Sequence, residues 1–167
     1  MKKSLFFIAF TLFSAIVFGQ QNPETKTEDG GFERELFLDA TVGGGLIRNT
    51  LAPTLDITMG TEFRSGDRIK LGYSSLFFFQ QNQEGNFLVR PNGFVFGEYL
   101  WKQKEGQNSL YSGFGAAALV HKRGNIFEKN AFKLYHLRTF KSGFAVEAGL
   151  IFENDFKKVF PSLVFKF

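Results

Sequence analysis

The chain lacks cysteine altogether and carries only two histidines, His121 and His136, among its 167 residues. Without cysteine there is no thiolate nucleophile, no cysteine-ligated zinc or iron–sulfur centre, and no lipid anchor on a cysteine. Two histidines supply few metal ligands, so we expect neither a metal nor an organic cofactor. The formal net charge is +4, but basic and acidic residues are interleaved along the chain, so no nucleic-acid-binding patch is indicated.

Long apolar runs are also scarce, and the only one extends from Leu5 to Phe18. Two lysines precede the run, and Val17 and Gly19 occupy the positions where a signal peptidase accepts small residues. This arrangement predicts a cleavable signal peptide over residues 1–19. The run is shorter than the roughly 20 residues that a membrane-spanning helix needs. The polar, non-periodic residues 20–34 are predicted to form a flexible lead-in.

Phenylalanine is abundant, with 24 residues against 4 tyrosines and 1 tryptophan. From Glu35 onward, apolar side chains recur at every second position between clusters of Gly, Asn, Asp and Ser, which is typical of strands. Consecutive hairpins at this spacing predict an all-β, eight-stranded antiparallel up-and-down barrel over residues 35–167, because closure removes exposed sheet edges. The clearest predicted strands are 55–64, 69–80, 144–153 and 159–167; the weaker ones are 36–45, 87–101, 110–121 and 131–141, and the pattern leaves the faces of the last two open.

Charge pairing suggests registers for three hairpins. A two-residue turn at residues 142–143 would place Arg138 opposite Glu147, with His136 on the same face, so that opposite charges meet across the strands. The other predicted pairs are Met59 with Tyr73 and Glu62 with Lys70 in the second hairpin, and Phe152 with Val159 and Glu153 with Lys158 in the last.

The two faces of the predicted strands differ in a way that favours a transmembrane barrel. The polar face mixes small residues, large phenylalanines and a few ions, which suits a narrow interior that side chains fill. Aromatic residues gather at strand ends, as they do in membrane-interface belts. We therefore expect the apolar faces to point outward and the lumen to be plugged by paired ions. The predicted lumen ions are Asp56, Glu62, Lys70, Arg90, Glu98, Arg138 and Glu147.

The last nine residues carry a family resemblance. Val159, Pro161, Leu163, Phe165 and Phe167 occupy alternate positions up to the end of the chain. This pattern resembles the terminal strand of bacterial outer-membrane β-barrel proteins, and together with the signal peptide the chain resembles their small eight-stranded members. The resemblance implies the outer membrane of a Gram-negative bacterium as location, Phe165 and Phe167 as a signal read by the barrel-assembly machinery, contact with membrane lipids and lipopolysaccharide, and a monomer.

The resemblance also implies an orientation, and two features depart from it. Pro161 removes an N–H donor from a strand and is tolerated at a bulge or a strand start. The external connections are shorter than is usual in this class. With the first strand running outward from the periplasm, the periplasmic turns are expected near 64–68, 102–108 and 141–143, and the external connections near 45–53, 81–86, 122–129 and 153–158.

Catalytic residues are sparse. His136 with Glu147 or Ser162 is the candidate for a Ser/His/acid set, but the predicted register pairs Glu147 with Arg138 and places no serine beside His136. Lipid A deacylases of this architecture carry a His-x-Ser element on a strand, whereas this chain has Arg138 at the serine position. We therefore expect a non-enzymatic protein with a structural or surface-interaction role. The alternatives are a soluble lipocalin-like barrel that binds an apolar ligand and an outer-membrane lipid-modifying enzyme.

Overall fold

The structure is a computed structural model that describes residues 34–81, 84–103, 109–128 and 130–167. The predicted signal peptide and the predicted lead-in, except Arg34, lie outside the described residues. Within the described ranges there are eight strands, and no helix is long and apolar enough to cross a membrane. The strands are β1 (Arg34–Ile47), β2 (Thr50–Phe63), β3 (Arg68–Gln81), β4 (Phe87–Lys102), β5 (Ser109–His121), β6 (Phe132–Phe140), β7 (Ala145–Glu153) and β8 (Lys158–Lys166).

The strands form one closed sheet. Each strand pairs antiparallel with the next, and β8 pairs back with β1. The predicted eight-stranded up-and-down barrel is therefore confirmed. Cross-strand pairs followed around the barrel from Phe37 return to β1 at Ile47, ten residues further along the strand. This offset requires the strands to tilt by roughly 35–45° from the barrel axis.

Side chains alternate between the lumen and the outer surface. In β2 the buried Thr54 and Asp56 alternate with the exposed Leu55 and Ile57. The apolar positions predicted for the clearest strands all lie on the outer surface, because the same period of two holds along β3, β7 and β8. In β5 and β6, whose faces the pattern left open, the inward positions include Tyr111, Ala117, Lys133, Tyr135 and Leu137.

The predicted register of the β6–β7 hairpin is wrong by one residue. Leu137 lies opposite Glu147, and Arg138 lies opposite Val146. A one-residue shift moves every side chain of a strand to the other face. His136 and Arg138 therefore point outward, and the predicted Arg138–Glu147 ion pair does not form.

Loop length explains this error. Loop 141–143 has three residues rather than two and is closed by a 2.7 Å hydrogen bond from Phe140 N to Phe144 O. Its last residue, Gly143, has a φ of 83°, as three-residue hairpin loops require at that position. Loop 64–66 has the same form, with Gly66 at a φ of 84°. A basic residue followed by Ser-Gly is the signal common to both loops.

The predicted β2–β3 register is wrong by two residues. Met59 lies opposite Leu71 rather than Tyr73, and Glu62 lies opposite Arg68 rather than Lys70. The faces of both strands are unaffected, because a shift of two residues preserves the alternation.

The predicted register of the last hairpin is confirmed. Phe152 lies opposite Val159, and Glu153 lies opposite Lys158. At the other end of this hairpin the Phe144 ring contacts the rings of Phe165 and Phe167, with centroids 5.9 and 5.3 Å apart. Phe165 and Phe167 thus lie on the outer surface, and their role as an assembly signal stays a prediction.

The prolines within strands lie where ladders end. The β2–β3 pairing stops at Thr54, next to Pro53, and the β1–β8 pairing stops at Ser162, next to Pro161. Pro91 likewise lies beyond the end of the β4–β5 pairing. Their missing N–H groups therefore remove no ladder hydrogen bond. Pro161 was expected at a bulge or a strand start and is instead accommodated at the end of a ladder.

The β1–β2 connection is shorter than the predicted 45–53. The two strands extend to Ile47 and from Thr50, so that only Arg48 and Asn49 remain as the turn. Both have positive φ values, 52° and 59°, as in the two-residue turns that match strand twist.

Glycines in the lumen provide space for aromatic rings. The ring of Tyr135 lies over Gly115, and its base lies against Gly149, so that one large side chain spans two neighbouring strands. Phe96 lies against Gly72 in the same way. These pairs let large rings fill a barrel whose interior is only as wide as its side chains.

Two glycine substitutions should destabilise the barrel for different reasons. Gly115→Ala places a methyl group in the Tyr135 ring and should cost about 1–3 kcal/mol of unfolding free energy as overpacking. Gly143→Ala has open space around it and should cost about 1–2 kcal/mol through its backbone conformation. Gly143→Asn should recover most of that loss, because asparagine tolerates positive φ. Urea titration measures all three, and equal losses in the Ala and Asn variants would contradict the turn assignment.

Candidate functional site in the barrel lumen

A network of buried charges crosses the middle of the lumen. Lys166 of β8 places its Nζ 2.8 Å from Asp56 Oδ2 and 2.8 Å from Glu147 Oε2. Lys133 of β6 pairs with the other Glu147 oxygen. The carboxylates are 1% and 2% exposed. Buried charges must be paired, and here two cations neutralise two anions drawn from four strands.

Neutral donors complete the network. Ser74 donates to Asp56 Oδ1 at 2.5 Å, and the Tyr135 hydroxyl donates to Glu98 Oε1 at 2.8 Å. These contacts link β2 to β3 and β6 to β4 through the lumen, so the network braces most of the barrel wall.

Glu98 is buried and joins the network through Tyr135, whereas the remaining predicted lumen ions lie outside it. Lys70 lines the lumen cavity at the barrel end where β1 begins and β8 ends. Glu62 pairs with Arg68 at 2.5 Å near that same end. Arg90 is half-buried near the opposite end.

Arg138 is the correction to the predicted set. It is exposed on the outer surface, because the register shift in β6 turns it away from Glu147. The same shift brings Lys133 inward, where no cation was predicted. Lys166 was also missed as a network member, although it alternates with Val164 and Ser162 on the polar face of the last strand.

Residues 122–128, which follow β5, close the lumen at the end opposite the start of β1 and the end of β8. Phe127 is 1% exposed and makes edge contacts with Phe78 and Phe94, with ring centroids 5.5 and 5.3 Å apart. It also stacks on Phe160, with centroids 6.3 Å apart. The Phe127 side chain therefore closes this end of the lumen with an apolar ring, and we call it the stopper.

Polar contacts hold this stopper in place. Glu153 is fully buried; its Oε1 accepts from Glu128 N at 2.8 Å, and its Oε2 lies 3.4 Å from Arg48. Arg48 also donates to the Ile126 carbonyl. A hydrogen bond from Lys158 lowers the pKa of the Glu128 carboxyl below its ordinary value, so this contact persists until the pH falls well into the acid range.

Among the described residues, the lumen is open toward the end where β1 begins and β8 ends. A cavity of about 210 Å³ lies there, lined by Asp39, Lys70, Glu98 and Lys166 among others. The next void toward the stopper is about 20 Å³, which is room for a single water. The lumen thus consists of this 210 Å³ cavity, which we call the inner vestibule, and of a core filled by side chains.

A serine does lie beside His136, contrary to expectation. Ser112 Oγ is 2.9 Å from His136 Nε2, and the two share one hydrogen bond on the outer surface. The pairing of β5 with β6 places Phe114 opposite His136 and Ser112 opposite Arg138. Sequence reasoning missed this contact because the faces of both strands were unsettled. His121, by contrast, is exposed at the end of β5.

Among the described residues, no group of three or more His, Asp or Glu side chains is placed to hold a metal ion. In comparisons with known proteins, no family model, no curated protein and no solved structure matches the chain.

Removing the shared lysine should destabilise the barrel strongly. Lys166→Met leaves Asp56 and Glu147 buried with one cation fewer, and the expected loss of unfolding free energy is about 3–5 kcal/mol. The double variant Lys166→Met/Asp56→Asn restores charge balance and should lose less than the single variant. Lys158→Met removes an exposed ion pair and should cost at most about 1 kcal/mol. Urea titration compares the three, and a Lys166→Met loss no larger than that of Lys158→Met would rule out the network as a stabilising element.

Proposed function

We propose that this chain is a non-enzymatic integral outer-membrane β-barrel protein of a Gram-negative bacterium, with a plugged lumen and a structural or surface-interaction role. The observation that carries the proposal is the distribution of side chains between the two faces of the barrel wall.

The outer surface supports membrane insertion. Leu38 and Leu51 are each 75% exposed, and Phe79 and Phe165 also point outward. Soluble proteins rarely expose contiguous apolar surface of more than a few hundred Å², whereas a transmembrane barrel carries an outward apolar band about 25 Å tall. Tyr99 and Trp101 at one edge of this surface suit an aromatic girdle at a membrane interface.

The interior disfavours the lipocalin-like alternative. A barrel that stores an apolar ligand needs an apolar cavity, but the 210 Å³ lumen cavity here has three carboxylates and two lysines in its lining. Asp56, Glu147 and Lys166 occupy the centre where such a ligand would lie. Apolar residues outside and paired ions inside are the arrangement of a membrane barrel.

The filled lumen favours a structural or surface role over transport. With Phe127 in one mouth and the ion network behind it, the space left for a solute is the inner vestibule. At the stopper end, Lys122 and Arg123 precede Phe127, and Lys157 and Lys158 lie in and beside the last turn; all four are exposed. These cations suit contact with lipopolysaccharide phosphates.

The lipid-modifying alternative gains the Ser112–His136 pair but lacks the rest of a hydrolase site. A serine nucleophile needs a third group that orients the histidine and donors that stabilise the oxyanion. Within the described part of the chain, His136 makes no other hydrogen bond to a side chain. We therefore assign the pair to mutual satisfaction of two polar groups on an apolar surface.

Fractionation and electrophoresis test the location. The protein should separate with outer membranes, need detergent for extraction, and change its electrophoretic mobility when heated in detergent before loading, because a closed barrel resists unfolding by detergent alone. Recovery as a soluble monomer without detergent would refute the proposal.

A pair of charge substitutions tests the lipid-facing surface directly. Leu55→Arg lies midway along β2 on the outer face, and in lipid vesicles it should cost about 2–4 kcal/mol of folding free energy. Leu36→Arg lies near the start of β1 on the same face and should cost at most about 1 kcal/mol. If the barrel were soluble, both would be surface substitutions with similarly small effects, so equal costs would count against membrane insertion.

A further inference from the structure

Three polar side chains lie together on the outer surface of β5 and β6. Ser112 and Arg138 lie opposite each other on β5 and β6, and His136 lies two residues from Arg138 on the same face. Ser112 and His136 satisfy each other through their 2.9 Å contact. Arg138 is exposed and has no ion pair or hydrogen bond in the part of the chain that the structure describes.

Arg138, which has no partner among the described residues, needs an anion as counter-charge if this surface faces lipid. In water an exposed arginine is hydrated, but on a surface that faces lipid it must reach the interface or bind a counter-charge. Arg138 lies two residues before the end of β6, at the barrel end where β1 begins and β8 ends. Its side chain can therefore reach the headgroup level, where the available anion is a lipid phosphate.

The surroundings of Arg138 fit a phospholipid. Trp101, Phe114 and His136 form a ring cluster beside it, with Trp101 5.6 Å from Phe114 and 6.4 Å from His136. Such rings lie at the boundary between acyl chains and headgroups. Lys141, in the adjoining turn, adds a second positive charge. The carboxylate of Asp67 at this end is engaged by the Tyr99 hydroxyl and the Lys102 amide.

We propose that Arg138, with the His136 and Trp101 rings beside it, forms a binding site for the phosphate of an anionic phospholipid in the leaflet at the barrel end where β1 begins and β8 ends, while the buried Ser112 holds His136 in place. Arginine is suited to this role because its guanidinium donates two parallel hydrogen bonds to phosphate oxygens. Excess positive charge from Arg138 and Lys141 favours an anionic over a zwitterionic headgroup. The inference rests on the proposed membrane location.

The test uses the one tryptophan of the chain as reporter. The protein is placed in vesicles of phosphatidylcholine containing a minor fraction of phosphatidylglycerol, with one or the other lipid brominated on its acyl chains. Bromine quenches indole emission at contact range, so the quenching of Trp101 measures which lipid occupies the patch. Wild-type protein should prefer phosphatidylglycerol by roughly fivefold, the factor that one interfacial cation supplies.

Three variants identify the residue responsible. Arg138→Gln should remove most of the preference and leave only the contribution of Lys141, and Arg138→Lys should retain more of it, because the charge remains and the two-pronged geometry is lost. Lys157→Gln removes the same charge at the opposite end of the barrel and should leave the preference unchanged. Equal quenching by the two lipids in the wild type, or a preference that Arg138→Gln leaves undiminished, would overturn the proposal.

The readouts separate this proposal from the membrane assignment. Blue-shifted Trp101 emission and a heat-dependent mobility shift report insertion whatever the lipid. A chain that inserts without lipid preference refutes only the phosphate site, whereas a chain that never enters vesicles refutes both.

Discussion

Pairing of the buried Asp56 and Glu147 carboxylates with lysines is the constraint on which the barrel depends. Lys166 reaches Asp56 and Glu147, on strands that lie on either side of the seam where β8 meets β1. The contact therefore ties the last strand to the second and the seventh at once. Had either carboxylate lacked its cation, an uncompensated charge would sit in a closed interior, which is far more costly than an unfilled apolar site.

The same lumen is closed in two chemically different ways. Its centre is filled by ion pairs and by rings seated on glycines, whereas its mouth is stopped by Phe127, which the connection between β5 and β6 inserts among other phenylalanines. The unusual phenylalanine content thus serves two environments. Some of these rings pack in the lumen and the mouth, and others cover the outer wall, so abundance alone does not identify either surface.

Polar groups on the outer wall follow a complementary logic. Ser112 and His136 satisfy each other, while Arg138, near the rim and close to the single tryptophan, has no partner among the described residues. This charge lies where headgroups can meet it. Polar side chains in the lumen are therefore satisfied by pairing with one another, whereas Arg138 on the outer surface depends on its position near the membrane interface.

The strand count, the closed meander and the direction of most faces could be read from the chain alone, because alternation and turn residues act over a few neighbours and repeat eight times. What the tertiary structure alone decided is register. One extra residue in the loop that ends at Gly143 exchanged Arg138 for Leu137 in the lumen, drew Lys133 into the network and placed Ser112 beside His136. Alternation says that neighbouring side chains face opposite ways, but pairing between distant strands depends on loop geometry and on closure of the whole ring. Only the folded barrel determines which residue of each strand meets which partner.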